Sequence, residues 1–208
     1  MLARTDSGPH ENPQEGGRMG ESAAAVRRAK SALRSRLLAG RGTLPGRATG
    51  DSARTAALLG DPVMRAANTV AAYASFGLEP DTVALCAQFA TRGTRVLIPQ
   101  LVGNGQLRFR TSAGELYPLA AADVVLVPAL AVDRAGRRLG RGGGSYDRVL
   151  GTVVVPILAL LHPGELLARV PTEPHDQPIT GVALPGGIAW LGARPECRLD
   201  ASRAVPHD

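Results

Sequence analysis

Residues 137–148 form a glycine- and arginine-rich segment that constrains this chain more than any other part of it. Four glycines alternate with arginines there, and a single carboxylate, Asp147, follows them. Glycine permits positive φ angles, so successive backbone N–H groups can turn inward and surround an anion. Arginine adds planar pairs of donors that suit phosphate or carboxylate oxygens. The segment, whose residues 138–146 we name the glycine loop, therefore predicts an anion site, although flexible loops share this composition.

The neighbours of the glycine loop favour a phosphate as that anion. Residues 123–128 are an apolar run of the kind found in strands buried within parallel sheets, and residues 146–150 are able to open a helix. A glycine-rich turn between a strand and a helix is where α/β proteins bind phosphates. The loop lacks the Gly-Lys-Ser/Thr ending of a P-loop and the spacing of a dinucleotide-binding turn. We therefore predict a phosphate site of another kind, with Asp147 as a ligand of Mg²⁺.

Helix-like and strand-like segments alternate along the chain. Helices are predicted, from hydrophobic periodicity and capping residues, over residues 21–38, 54–59, 62–67, 82–92 and 146–150. Strands are predicted, from short apolar or alternating runs, over residues 69–73, 95–99, 107–111, 123–128, 153–161 and 179–184. Such alternation predicts an α/β fold, with a mostly parallel sheet between helical layers in a single three-layer α-β-α domain.

Length and composition set the predicted boundaries of this domain. A chain of 208 residues, of which 44% are hydrophobic, can build one sizeable core but not two. Residues 1–20 are polar and rich in Gly, Pro and Glu, without an apolar signal core, so we predict a disordered leader. The domain is then expected to span residues 21–195, and residues 196–208 to form a C-terminal tail.

Charge and cysteine usage exclude several classes of protein. The net charge is +6, but the arginines are spread along the chain without interleaved aromatic residues, which argues against a nucleic-acid groove. No segment approaches the roughly 18 consecutive apolar residues of a membrane span. Cys86 and Cys197 lack the spacing of a metal site, which favours a reduced, cytoplasmic environment. We expect a monomer that binds neither nucleic acid nor a membrane.

The glycine loop and its flanks match a known family signature. Residues 127–131, Asp133, Gly136 and the continuous stretch 138–148 together resemble the signature of the 5-formyltetrahydrofolate cyclo-ligase family. Three weaker matches occur in the same order along this chain as in the family: Lys30 with Arg34, residues 73–75 with 79–82, and residues 171–176. The resemblance extends over about residues 25–184.

The resemblance implies an ATP- and Mg²⁺-dependent ring closure. The substrate would be 5-formyltetrahydrofolate and the product 5,10-methenyltetrahydrofolate, with release of ADP and phosphate. The γ-phosphoryl group of ATP would activate the formyl oxygen before folate N10 attacks the formyl carbon. Such a reaction depends on positioning and charge neutralisation. We therefore predict no catalytic side chain, and we assign no catalytic role to His162 or His175.

The resemblance also implies roles for individual residues. The metal ligands would be Asp147 and Asp176, and the substrate would contact Ala74, Glu79 and Tyr146. The residues implied in ATP binding are Lys30, Arg34, Arg138, Leu139, Gly140, Arg141, Gly142, Gly143, Gly144, Ser145 and Tyr146.

Two departures from the family pattern leave other functions open. Residues 110–123 form a shorter segment than the substrate-contacting one of most relatives, and Ser145 stands where many relatives have tyrosine. A non-catalytic relative that binds a nucleotide or folate through a degenerate pocket is therefore one alternative. Another is a sugar-phosphate isomerase or a CoA-transferase-like enzyme, for which Glu79 is the candidate base.

Overall fold

A computed structural model describes residues 13–192, with side chains from residue 22 onward except Asn104. These residues contain five α-helices, two 3-10 helices (Gly103–Gly105 and Leu119–Ala121) and eleven strands. The helices are α1 (Pro13–Thr43), α2 (Arg47–Gly60), α3 (Pro62–Ala66), α4 (Val83–Thr91) and α5 (Ser145–Leu150). The strands are β1 (Thr69–Ala71), β2 (Arg95–Val102), β3 (Gln106–Arg110), β4 (Leu116–Tyr117), β5 (Val124–Pro128), β6 (Ala131–Asp133), β7 (Arg138–Leu139), β8 (Ile157–Leu160), β9 (Leu166–Leu167), β10 (Gly181–Leu184) and β11 (Gly187–Trp190).

A mainly parallel sheet forms the centre of the fold. Its strand order is β11-β10-β8-β5-β1-β2-β3-β4, and the pairs from β10 through β8, β5 and β1 to β2 are parallel. The outer strands β11, β3 and β4 pair antiparallel. A smaller sheet has the order β7-β6-β9. The predicted α/β class with a mostly parallel sheet is thus confirmed.

Alternating side chains of β5 build the cores on both faces of the large sheet. Val124 and Leu126 pack with buried residues of α2, α3 and α4. Val125 and Val127, which point to the opposite face, pack with Leu150 of α5. Because both faces are covered, an unbroken apolar strand is stable at this position.

Helix α1 packs mainly on the smaller sheet. Its side chains Leu33 and Leu37 lie against Leu130 and Leu139. Sequence analysis missed this sheet because β7 and β9 have two residues each, too few for a periodic pattern.

Helix α1 is longer than predicted at both ends. It begins at Pro13, so residues 13–20 of the predicted leader are helical in the structure. Extending an existing helix is easier than starting one, because each added residue gains one hydrogen bond. Residues 1–12 of the leader and residues 193–208, with the predicted tail and Cys197, lie outside the described residues. The domain boundaries stay predictions.

Cys86 is a free, half-buried thiol on α4. Burial raises its pKa to about 11, so the thiol is protonated at neutral pH. None of the helices within the described part of the chain is both long and apolar enough to cross a membrane.

Asp133 fixes the turn between β6 and β7, which leads into the glycine loop. Its carboxylate is fully buried and accepts backbone N–H groups of Val170, Ala135 and Arg137. The Arg137 Nε atom donates to it as well, at 2.6 Å. Burial alone would raise the pKa of Asp133, but these hydrogen bonds outweigh it and hold the pKa below its usual value.

Replacing Asp133 by asparagine is expected to lower the free energy of unfolding by about 3 kcal/mol at pH 7, because an amide group would face N–H donors. Since the folded-state pKa is lowered, the carboxylate stabilises the fold above its unfolded pKa of about 3.9. This contribution is lost as pH falls through the folded pKa, so the difference between variant and wild type should shrink below pH ~4. Urea unfolding at several pH values measures both effects.

Asp123→Asn is the matched control for this prediction. Asp123 uses a single oxygen, Oδ2, to accept the backbone N–H groups of Asn68 and Thr69. An asparagine carbonyl oxygen can accept the same two hydrogen bonds, so a smaller loss of stability is expected. Equal losses for the two variants would contradict the role given to Asp133.

Candidate active site

The loops that follow β1, β5 and β8 lie at one edge of the large sheet, which we name the carboxyl edge. Parallel strands end at the same edge, so loops distant in sequence are brought together there. The loop after β1 carries Glu79, and the segment after β5 leads through the smaller sheet to the glycine loop. His162 follows β8.

The glycine loop lies against helix α1. Gly142 and Gly144 have φ angles of 107° and 64°, a conformation that side-chain-bearing residues rarely adopt. The Arg34 Nε atom donates to the carbonyl oxygen of Gly140 at 2.9 Å. A Cβ atom added to Gly142 would lie 3.4 Å from the Arg34 Cζ atom. The exposed backbone of residues 141–144 is therefore held beside a guanidinium group.

Arg138, the first residue of the glycine loop, is a buried cation beneath the glycines of that loop. Its Nη2 atom donates to Asp147 Oδ1 at 2.7 Å, and its Nη1 atom donates to the Pro128 carbonyl at 3.1 Å. Its Nε atom has no hydrogen-bond partner among the described residues. A Cβ atom at Gly140 would lie 2.9 Å from Arg138 Nη1, so any larger residue would displace the guanidinium.

Arg141 joins the glycine loop to the loop after β1. Its Nε atom donates to Glu79 Oε1 at 2.8 Å, and its guanidinium carbon lies 4.3 Å from the centre of the Phe76 ring. The Glu79 side chain is only 4% exposed, and its second oxygen accepts the Phe76 N–H group at 3.2 Å. Ala74 is exposed on the same loop. Glu79 therefore faces the glycine loop and is not an acid that merely points into solvent.

Lys30 joins α1 to the segment that follows β9. Its ammonium group donates to Glu173 Oε2 at 2.8 Å and to Asp176 Oδ2 at 2.6 Å, and its side chain is 5% exposed. The hydrogen bond from Lys30 lowers the pKa of Glu173. Burial alone would raise the pKa of Asp176, but the hydrogen bonds from Lys30 and from the Glu173 N–H group outweigh burial and lower this pKa as well. The two predicted phosphate ligands of α1, Lys30 and Arg34, thus stand one helical turn apart, on the face turned toward these loops.

The two predicted metal ligands lie in separate ion pairs. Asp147 is paired with Arg138, and Asp176 with Lys30. No hydrogen bond or ion pair connects Asp147 to Asp176 in the portion of the chain that the structure describes. Ligand atoms of Glu173, His175 and Asp176 do lie within 4.8 Å of one another. Each predicted ligand therefore offers a carboxylate whose charge a cation now balances.

Three of the residues implied in ligand binding are wholly or partly buried. The Leu139 side chain is 1% exposed and packs in the smaller sheet's core. Tyr146 packs against the cores on both faces of the large sheet, and burial raises the pKa of its hydroxyl. Ser145 is half-buried, with its hydroxyl 3.5 Å from Arg148 Nη2. Leu139 can therefore contact a ligand only through its backbone atoms, and Tyr146 is largely a core residue.

Two arginines of this edge were missed by sequence analysis. Arg41 Nη2 donates to the Ala129 carbonyl at 2.6 Å, and Arg54 donates twice to the Leu161 carbonyl, at 2.7 and 3.1 Å. Both side chains are at most 2% exposed. Each acceptor is a backbone group about a hundred residues away, for which a sequence carries no local signal.

Curated relatives of this chain carry a common name. A 5-formyltetrahydrofolate cyclo-ligase of Mycolicibacterium smegmatis is 34% identical over 183 residues, which are 76% of this chain and 94% of the relative. The 5-formyltetrahydrofolate cyclo-ligase of Escherichia coli K12 is 31% identical over 163 residues, which are 67% of this chain and 89% of the relative.

Solved structures and the family comparison agree with these relatives. The fold is similar to that of the Aquifex aeolicus 5,10-methenyltetrahydrofolate synthetase, with a TM-score of 0.71, 21% identity and coverage of 84% of this chain and 99% of that one. A 5,10-methenyltetrahydrofolate synthetase of Mycoplasma pneumoniae gives a TM-score of 0.68, 19% identity and coverage of 75% and 98%. The 5-formyltetrahydrofolate cyclo-ligase family itself matches residues 26–185. This chain therefore belongs to the 5-formyltetrahydrofolate cyclo-ligase family of enzymes.

Proposed function

We propose that this chain catalyses the ATP- and Mg²⁺-dependent cyclisation of 5-formyltetrahydrofolate to 5,10-methenyltetrahydrofolate, with release of ADP and phosphate. The observation that carries the proposal is the clustering of three guanidinium groups around the glycines of the loop, one from Arg34 of α1 and two from Arg138 and Arg141 of the loop itself, with Glu79 held against Arg141. Family membership supplies the reaction class, and this arrangement supports both an anionic and a polar ligand at one edge of the sheet.

ATP phosphates are proposed to bind along the half-buried backbone of Gly140 and the exposed backbone of Gly142, Gly143 and Gly144. The backbone there carries no side chains that would keep a phosphate away, and Arg34 lies directly beside it. Arg138, with one donor unused among the described residues, contributes positive charge from below. Lys30 approaches from the same helix as Arg34. These cations reduce the repulsion between a polyphosphate and any second anionic ligand.

Asp147 and Asp176 are proposed to hold Mg²⁺. Each carboxylate forms an ion pair with a cation that we assign to the phosphates. When ATP binds, phosphate oxygens would take the place of the carboxylates beside these cations, and the carboxylates would bind the metal ion. Carboxylate oxygens together with phosphate oxygens are the donor set that Mg²⁺ prefers, so these residues fit the ion. When bound, the ion would neutralise phosphate charge.

Positioning and charge compensation are the contributions that we assign to the chain. In the proposed reaction the formyl oxygen takes the γ-phosphoryl group, N10 attacks the formyl carbon and loses its proton, and the carbon–oxygen bond breaks as phosphate leaves. Arg34, Arg138 and Lys30 would balance the charge of the transferred group. Glu79 and Ala74 would contact the reacting end of the folate, with Tyr146 supporting them from the core. Fixing both reactants in one geometry removes much of the entropic barrier.

A spectroscopic assay tests the proposed reaction. Purified protein is mixed with 5-formyltetrahydrofolate, ATP and Mg²⁺, and the absorbance of the methenyl product is followed. We expect product only when ATP and Mg²⁺ are both present. Binding of ATP without any product would favour a non-catalytic relative, for which the short segment of residues 110–123, with only β4 and a three-residue 3-10 helix (Leu119–Ala121) between its ends, is the structural reason.

Asp147→Asn is expected to lower kcat at least about 100-fold, because the variant loses the charge that we assign to Mg²⁺ binding. The asparagine oxygen can still accept the hydrogen bond from Arg138, but the buried guanidinium loses its counter-charge, so the melting temperature should fall and kcat is compared at a temperature where both proteins stay folded. Asp123→Asn, which removes the same charge at the opposite edge of the sheet, is the control and should keep full activity. Wild-type kcat in the Asp147 variant at low Mg²⁺ concentration would refute the metal role.

Arg34→Met is expected to raise the KM for ATP about tenfold or more, because a charge-assisted contact to phosphate is lost while the apolar stem is kept. Arg36→Met is a matched control on the same helix, since Arg36 is exposed. Its KM for ATP should stay within twofold of wild type. A titration of initial rate against ATP, at saturating folate, measures both values. Similar values for the two variants would remove Arg34 from the nucleotide site.

A further inference from the structure

A buried chain of polar groups runs from the end of α1 to the loop that carries Glu79. Arg41 Nε and Nη2 donate to the two carboxylate oxygens of Glu165, at 2.6 and 2.9 Å. Glu165 Oε2 also accepts the backbone N–H group of His162 at 2.8 Å. All three residues are at most 4% exposed. None of them has a role in the reaction proposed above.

The Arg41–Glu165 pair holds the backbone of His162, two residues after the end of β8. Burying two opposite charges brings little net stability, because desolvation offsets most of their attraction. Such a pair does fix geometry, since a bidentate arginine leaves the carboxylate one orientation. Here the second oxygen of that carboxylate binds the His162 N–H group, and the Glu165 N–H group donates to the His162 carbonyl at 3.2 Å. The backbone of His162 is therefore fixed on both sides.

The imidazole of His162 reaches the loop after β1. Its Nε2 atom lies 3.0 Å from the carbonyl oxygen of Leu78. A carbonyl oxygen only accepts, so Nε2 carries the hydrogen. Burial lowers the pKa of His162, which agrees with a neutral ring at neutral pH.

Leu78 directly precedes Glu79, in a turn that starts at Phe76. The Glu79 N–H group donates to the Phe76 carbonyl at 3.3 Å, and the Glu79 carboxylate accepts the Phe76 N–H group. On its exposed side this turn is held by Arg141 alone among the ion pairs that the structure describes. On its buried side, the hydrogen bond from His162 to Leu78 fixes the backbone directly before Glu79.

We propose that His162 is a positioning residue, which holds the turn of residues 76–79 so that Glu79 faces the glycine loop. The donated hydrogen bond restricts the peptide unit between Leu78 and Glu79, and with it the direction of the Glu79 side chain. This role in substrate binding rests on the proposed function, whereas the ordering of the turn does not. It concerns the folate side of the site, since Glu79 is the residue assigned to that substrate.

Three variants test the proposal in the full-length protein. His162→Leu removes the donor, and His162→Gln places an amide NH₂ group near the position of Nε2. Phe89→Leu shortens a fully buried side chain of α4, on the other side of the sheet from α5, and controls for lost stability. Steady-state rates are measured against each substrate. Hydrogen–deuterium exchange is measured without substrates, at a temperature well below every melting transition.

His162→Leu is expected to raise the KM for 5-formyltetrahydrofolate about tenfold and the KM for ATP less than threefold, because one buried hydrogen bond is lost. His162→Gln should recover most of the folate KM, and Phe89→Leu should leave both values near wild type. Amides of residues 76–79 should exchange at least about tenfold faster in His162→Leu, while those of β5 stay unchanged.

Two results would overturn the positioning role. One is unchanged exchange of residues 76–79 in His162→Leu, which needs no turnover and so stays decisive if wild-type protein forms no product. The other is a kinetic result that does not favour the folate side, whether both KM values rise equally or His162→Gln behaves like His162→Leu. Absence of product with wild-type protein, together with faster exchange in His162→Leu, would instead refute the proposed reaction and keep the ordering of the turn.

Discussion

Backbone carbonyl groups at the carboxyl edge of the sheet impose the requirement on which the rest of this structure depends. Where parallel strands end, their carbonyls lose the donors of the neighbouring strand, and a buried carbonyl without a donor costs about 1–3 kcal/mol. In this chain carbonyls at the last residue of β5 and directly after β5 and β8 accept from side chains that carry positive charge. Those side chains belong to three buried arginines, Arg41, Arg54 and Arg138. The same edge therefore gathers positive charge before any ligand binds.

Buried guanidinium groups must in turn be neutralised, and the structure pairs each of these three with a carboxylate. The partners are Glu165 for Arg41, Asp51 for Arg54 and Asp147 for Arg138. Glu165 is 5% exposed, so its pair with Arg41 is closed to ligands and serves the geometry of the neighbouring loops. Asp147 and Asp51 are 20% and 19% exposed, but only Asp147 of these two borders the glycine loop, which is why we assign chemistry to Asp147 and structure to the Arg41–Glu165 pair. Burial together with position thus gives ion pairs of the same type different roles.

Sequence analysis predicted the parts of this molecule that depend on local pattern. The strand predicted over residues 123–128 is β5 (Val124–Pro128), because burial on both faces demands an unbroken apolar run. The predicted strand over residues 153–161 shrinks to β8 (Ile157–Leu160), since before Pro156 Val153 and Val155 pack on the core from a loop and Val154 is exposed. The site was predicted less completely. The glycine loop could be recognised from its residue types. Arg41 and His162, however, bind backbone carbonyls far away in sequence, and a backbone carbonyl leaves no signal in a sequence because every residue has one.

The glycine content of the loop follows from what lies beneath it as well as from any ligand above it. Gly140 has an ordinary φ angle, yet a Cβ atom there would meet the Arg138 guanidinium at 2.9 Å. Gly142 and Gly144, by contrast, need the left-handed region of φ. One part of the glycine pattern therefore makes room for a buried cation and another part turns the chain. In the proposed reaction, phosphate binding would use the surface that these two constraints leave bare, so a requirement of the fold prepares the site without a dedicated catalytic side chain.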